Sequence, residues 1–181
     1  MFQVQCLKST TNKATEFYSK YSIGPFLKGQ STTVGNALRR VLLSNLQGLA
    51  ITGVRITGID HEFSTIPHVK EDVLDILLNL KQIVIKGSIT EPVLARLSVK
   101  EPGIVVADNI ELPDNITFAD PRQYIANLTS MGNLEMEFLI ARGQNYFTSG
   151  KLESTIPESF LSVDAVFMPV TKVNFFVETS K

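Results

Sequence analysis

The sequence is short of the residues on which most site chemistry depends. It has one cysteine, Cys6, and two histidines, His61 and His68. A lone cysteine forms no internal disulfide, which suits a reducing compartment. Cys6 stands in the alternating segment "FQVQCL" and reads as a strand or core residue rather than a nucleophile. The two histidines flank a loop with no cysteine nearby, whereas a metal site needs more ligands at tighter spacing. No apolar run approaches the roughly 20 residues of a membrane span. The first residues, "MFQVQCLKSTTNK", lack the basic start and apolar run of a secretion signal. A basic excess is missing as well. Seventeen Lys+Arg oppose eighteen Asp+Glu, for a net charge of -1, and no basic stripe stands out, which argues against nonspecific nucleic-acid binding.

Catalytic motifs are missing too. The spacing from Gly29 to Gly35 is one residue too long for a phosphate-binding loop, and no lysine follows the second glycine. There is no Gly-x-Ser-x-Gly elbow and no Ser/His/Asp set. Glu135 and Glu137 lie two apart in an alternating strand, which makes them neighbours on a solvated face rather than an acid/base pair. The sequence therefore points to no catalytic residue, no cofactor and no metal.

What is present is enough apolar material, 44% of 181 residues, for one or two real cores. "FQVQCL" and "TEFYSKYSIGPFL" read as a hairpin over residues 2 to 27. A helix is predicted next, with Ser31, Thr32 and Thr33 as candidate N-caps and Gly48 as its stop. "AITGVRITGI" has strand character. "VKEDVLDILLNLKQ" predicts a second helix, with Val69, Val73, Ile76, Leu77 and Leu80 on one face and Leu74 and Leu78 widening it. Short strand-like runs follow, punctuated by Gly, Pro, Asn and Asp. In "LEMEFLIA" Leu134, Met136, Phe138 and Ile140 share one face, which fits an antiparallel sheet. "SVDAVFMPVTKVNFFVET" predicts two more strands around Pro169. The fold class is α+β, with a hairpin and long helix completed by a C-terminal return and an intervening β-rich block.

The first helix carries two faces. At about 100° per residue, with Val34 at zero, Val41 falls near -20°, Leu38 near 40°, Leu42 near 80° and Leu46 near 120°. These five form one broad apolar stripe. Leu43 falls near 180° and Arg40 near 240°, off the stripe, on the same scale. An apolar residue beside a forked, permanently charged donor is a composition favoured at protein interfaces. The helix is expected to dock on two sides: the stripe against its own domain or a twin, the other face against a partner.

"GQSTTVGNALRRVLLSNLQG", "HEFSTIPHVKEDVLDILLNLK", "DPRQYIANLT", "LEMEFLIARGQNY" and "DAVFMPVTKVNF" together resemble the N-terminal domain of the bacterial-type RNA polymerase alpha subunit, in the wording of its cyanobacterial and plastid versions. The resemblance implies a dimerisation subdomain, residues 1–49 and 168–181, with an inserted, mostly antiparallel β subdomain at residues 50–167. It implies a non-catalytic subunit of a nucleotidyltransferase, two copies of which dimerise and form the platform for the beta and beta-prime subunits. The stripe Val34, Leu38, Val41, Leu42 and Leu46 becomes the expected dimer interface. Arg40 and Leu43, with Lys81, Arg142 and Gly143, become the expected large-subunit contact. The family continues after "VNF" into another long helix and a DNA-contacting C-terminal domain, so no direct DNA binding is expected of this segment; the lack of a long apolar run likewise leads to no membrane contact being expected. The expected compartment is a bacterial cytoplasm or a plastid stroma. Two alternatives stay open on the residues alone: a small α+β enzyme, or a scaffold of another complex.

Overall fold

The computed structural model describes residues 3–13, 16–152 and 156–179. The chain divides into two compact units, one made of Met1–Leu46 and Met168–Lys181, the other of Gln47–Phe167.

In the first unit, β1 (Gln3–Lys13) and β2 (Glu16–Gly24) form an antiparallel ladder with a register shift between Cys6 and Lys8. Cys6 is in a strand, as the alternation implies, but it is exposed and not a core residue. Helix α1 (Gln30–Ser44) starts earlier than the polar cluster Ser31–Thr33 suggests. Its N-cap is Gly29, at φ 89°, where a side chain would be strained. The Gln30 N–H donates to the Leu27 carbonyl at 3.0 Å, while the Leu27 N–H donates to Gln30 Oε1 at 3.3 Å. That reciprocal pair closes the first turn, so no serine or threonine is needed as a cap. The helix also stops before Gly48. Asn45 caps it, donating its N–H to the Val41 carbonyl at 2.9 Å.

No residue of α1 is buried. Leu38, Val41 and Leu42 are 39%, 46% and 36% exposed, and Val34 and Leu46 are half-buried. The apolar stripe is therefore only partly covered by its own unit. Leu43, placed off the stripe by the wheel, is half-buried. Gly35 has a local purpose: a Cβ there would lie 2.5 Å from the Phe175 ring, so the return segment seats its aromatic directly on the helix backbone. The run after Pro169 forms no strand among the described residues. It packs through that side chain instead of pairing its backbone.

The second unit is built on a sheet ordered β7-β5-β10-β3-β4-β8, from β3 (Gln47–Ile56), β4 (Ile85–Gly87), β5 (Val93–Val99), β7 (Ile110–Glu111), β8 (Ile116–Phe118) and β10 (Leu134–Gln144). β12 (Leu161–Ser162) adds to β3. β6 (Gly103–Val106) pairs with β9 (Tyr124–Leu128), and β11 (Tyr146–Phe147) with β13 (Ala165–Val166). The pairings are antiparallel. β3 crosses the residue 49/50 boundary drawn from sequence.

Alternation decides which side chains meet. Phe138 lies between Val54 and Ala95, and Met136 between Ile56 and Leu97, all buried. On the opposite face Glu137 lies between Arg55 and Arg96 and pairs with both, the Arg96 Nε at 3.2 Å. Glu137 thus belongs to a cross-strand charge row. A bulge opposite Leu139 and Ile140 absorbs Thr52. It lets Ile51 and Val54, three apart, both reach the core. Thr52 is itself buried, and its hydroxyl donates to the Leu139 carbonyl at 3.2 Å.

Helix α2 (Val73–Lys81) buries Val73, Ile76, Leu77 and Leu80 in this core. Leu74 and Leu78 stay exposed, so the stripe is narrower than predicted. Val69 lies outside the helix because Asp72 is extended and caps it, accepting the Asp75 N–H at 2.8 Å.

Candidate functional site

The charged cluster at the end of α2 joins three distant stretches of sequence. Lys81, the last residue of α2, donates from Nζ to Asp164 Oδ2 at 3.1 Å and to the Tyr146 hydroxyl at 3.2 Å. The Tyr146 hydroxyl donates to the same carboxylate oxygen at 2.5 Å. Asp164 Oδ1 accepts the main-chain N–H of Ser149, first residue of α3 (Ser149–Leu152), at 2.9 Å. The ammonium also lies 5.0 Å from the centre of the Tyr146 ring. The Tyr146 hydroxyl, above all, holds the Asp164 carboxyl below the ordinary carboxylate range, with the Ser149 N–H and Lys81 adding to it against the effect of burial. The same contacts, Tyr146 first and Asp164 second, raise Lys81. Both groups are held in their charged forms.

Beside this cluster, Gly48 and Gly143 stand opposite each other on β3 and β10. A Cβ on Gly143 would lie 2.8 Å from the Phe167 ring, and one on Gly48 only 2.1 Å from the Phe167 carbonyl oxygen. Phe167 is buried over this glycine pair and meets Phe147 edge-on, ring centres 6.0 Å apart. The neighbouring side chains, Arg142, Tyr146, Phe147 and Val166, face outward. Aromatics and an arginine at the surface are typical of protein-contact patches.

Of the residues singled out from sequence, Lys81 is brought into the cluster and Gly143 beneath Phe167, while Arg142 is exposed on the adjoining strand end. Arg40 is exposed and Leu43 half-buried on α1. Asp164 was not singled out from sequence. It lies 83 residues from Lys81, and no spacing links the two. Its only signal was membership of the motif "DAVFMPVTKVNF".

The histidines have local roles. His61 hydrogen-bonds with the Ser64 hydroxyl and His68 with that of Ser130. Among the described residues, no group of three or more His, Cys, Asp or Glu is placed to hold a metal ion. Nor is any helix among them long and apolar enough to cross a membrane. A cleft of about 670 Å³ opens on the charged side of the sheet, lined by Arg55, Arg96, Glu135, Glu137 and Phe160. Arg55 and Arg96 are spent on Glu137, and Arg55 also stacks 5.3 Å over Phe160. Glu135 accepts from Asn133 at 2.8 Å. These groups bind one another rather than converging on a common point.

Residues 54–168 match the family described as the RNA polymerase Rpb3/RpoA insert domain. The chain is also similar to proteins named DNA-directed RNA polymerase subunit alpha. One from Emiliania huxleyi is 57% identical over 180 residues, 99% of this chain and 58% of the relative. One from Synechocystis is 51% identical over 179 residues, 98% and 57%. One from Cyanidium caldarium is 49% identical over 176 residues, 97% and 57%. The chain thus spans little more than half the length of the curated relatives it matches.

Proposed function

Because this chain belongs to the bacterial-type RNA polymerase alpha-subunit family, we propose that it works as a non-catalytic assembly subunit of a multisubunit DNA-directed RNA polymerase. In this reading two copies associate through the α1 stripe of Val34, Leu38, Val41, Leu42 and Leu46. The beta and beta-prime subunits then dock on Arg40 and Leu43 of α1, and on Lys81, Arg142 and Gly143 of the insert. Residues 1–49 and 168–181 serve dimerisation, and residues 50–167 form the inserted subdomain. The compartment is wherever the polymerase works, a bacterial cytoplasm or a plastid stroma.

The observation that carries this is α1 itself. It is a 15-residue amphipathic helix with no buried residue. Most helical stability in proteins comes from packing an amphipathic face. A helix whose stripe is left open is therefore explained by a partner that covers it. Relatives similar along nearly the whole chain supply the class of partner.

The test is coexpression of the tagged chain with polymerase large subunits. The expected result is copurification of those subunits with it. Arg40→Ala should weaken recovery by about thirtyfold, roughly 2 kcal/mol, if Arg40 sits at the centre of the contact, and far less at its rim. Failure of the wild-type chain to recover any large subunit would overturn the proposal.

A further inference from the structure

We infer that Tyr146 and Asp164 are positioning residues that present Lys81 to a large polymerase subunit as part of a charge-neutral unit, met there by an uncharged acceptor such as a main-chain carbonyl rather than by a carboxylate. The inference rests on the assembly role proposed above and specifies the chemistry of one of its contacts.

An ammonium has three N–H donors. Lys81 spends two of them inside the cluster, on Tyr146 and Asp164. One is left for a partner. The charges of Lys81 and Asp164 cancel, so the cluster has no net charge to offer. It is nonetheless accessible: the two side chains are 31% and 32% exposed, so a partner surface can reach both. A carboxylate arriving at Lys81 would also meet the Asp164 carboxylate, 3.1 Å from the same nitrogen. Two like charges that close repel and raise the cost of ionising the second. A carbonyl or amide oxygen meets no such repulsion and accepts the remaining N–H equally well.

The arrangement also explains why Lys81 needs two partners in its own chain. A lysine side chain is a point charge on a flexible four-carbon stem, and fixing it at an interface costs conformational entropy. Here the stem is already anchored before any partner arrives. Asp164 is itself fixed by the Ser149 N–H and the Tyr146 hydroxyl. Three stretches of the insert thus converge to hold one donor in place.

The experiment uses this chain coexpressed with the large subunits, with association measured over a range of salt concentrations and thermal melts on every variant. Wild type must first recover the large subunits; if it recovers none, the assembly role has failed and this inference falls with it. Given recovery, Lys81→Met should weaken association about tenfold or more, as for an interface hot spot. Asp164→Asn should weaken it too, although that change leaves the patch more positive. The double variant should be no worse than the poorer single one, because the two residues act as a unit. Its dependence on salt should run parallel to that of wild type, since both clusters are neutral. A purely structural role for Asp164 would lower the melting temperature and leave the salt dependence of the single variant unmoved. If Asp164→Asn fails to fold, Tyr146→Phe removes only a hydroxyl and should weaken association in the same direction. The inference is overturned if Asp164→Asn strengthens binding or leaves it unchanged while Lys81→Met weakens it and flattens its salt dependence. Lys81 would then be a free cation facing a partner carboxylate. It is equally overturned if Lys81→Met has no effect.

Discussion

Gly48 and Gly143 owe their identity to a residue far along the chain. Phe167 lies over both, and the two contacts differ in kind. At Gly143 the obstacle is an aromatic ring, which can shift; at Gly48 it is a main-chain oxygen, which cannot without moving the backbone of Phe167. Gly143→Ala should therefore destabilise the fold by about 1–3 kcal/mol, the usual cost of overpacking, and Gly48→Ala by more. Urea unfolding of the two variants checks the order, and a neutral Gly48→Ala would rule out the close approach. Asp164 allows a pH test. Its carboxyl is held low in the folded chain, so its contribution to stability is present above the ordinary carboxylate value and lost as pH falls through the depressed one. Asp164→Asn should lower the melting temperature near neutrality and flatten its fall as pH drops from the ordinary carboxylate range through the depressed one. A wild-type acid limb unchanged by the substitution would show that this carboxyl does not carry it. None of these contacts is legible in the sequence. The motifs flagged Gly143 and Lys81 as positions of interest, but the partners that give them a role come from remote segments.

Two helices with similar amphipathic patterns end in opposite surroundings. The α2 stripe packs on β3 and β9 of its own unit, and Ile76 is fully buried. Ile76→Ala should cost ~2–5 kcal/mol, as core truncations do. On the wheel, Leu42 has the same standing in α1. Within the chain, however, it is 36% exposed, whereas Ile76 is fully buried. Leu42→Ala should change the stability of the isolated chain by less than about 1 kcal/mol, as an exposed position does. Leu43→Ala should cost more than Leu42→Ala, because Leu43 is the better covered of the two. Thermal melts of the three variants decide it. Periodicity detects that a helix has an apolar side. It carries no information on whether the chain itself, or another molecule, covers that side.

At the scale of the whole chain, the open stripe is joined by other exposed apolar groups. Val4, Leu7, Phe17, Tyr18 and Tyr21 of the hairpin are all exposed, as is Leu27. Exposed apolar groups on α1 and on both faces of the hairpin favour association. With a net charge of -1, little long-range repulsion opposes it. Sedimentation should show concentration-dependent self-association of this chain. A charge placed in the stripe, as in Val41→Glu, should weaken it by about tenfold or more, because burying an unpaired carboxylate is costly. A chain that stays monomeric at every accessible concentration would argue against α1 as a self-association surface.

Features that depend on neighbours a few residues away can be read along the chain. The hairpin, both long helices and the alternating strands of the insert follow from periods of two and 3.6 that each segment carries internally. The family resemblance follows from the order of the motifs. Caps and boundaries were less legible, since the start of α1 rests on a turn between Leu27 and Gln30 and on the backbone of Gly29 rather than on the nearby hydroxyls. Features that depend on residues remote in sequence come from packing alone: the bulge at Thr52 that brings Ile51 and Val54 to one core, the seat of Phe167 on two glycines, and the meeting of Lys81, Tyr146 and Asp164. It also decided which apolar face stays open. Burial is a property of the packed chain, and an unpartnered stripe has the same local sequence as a buried one.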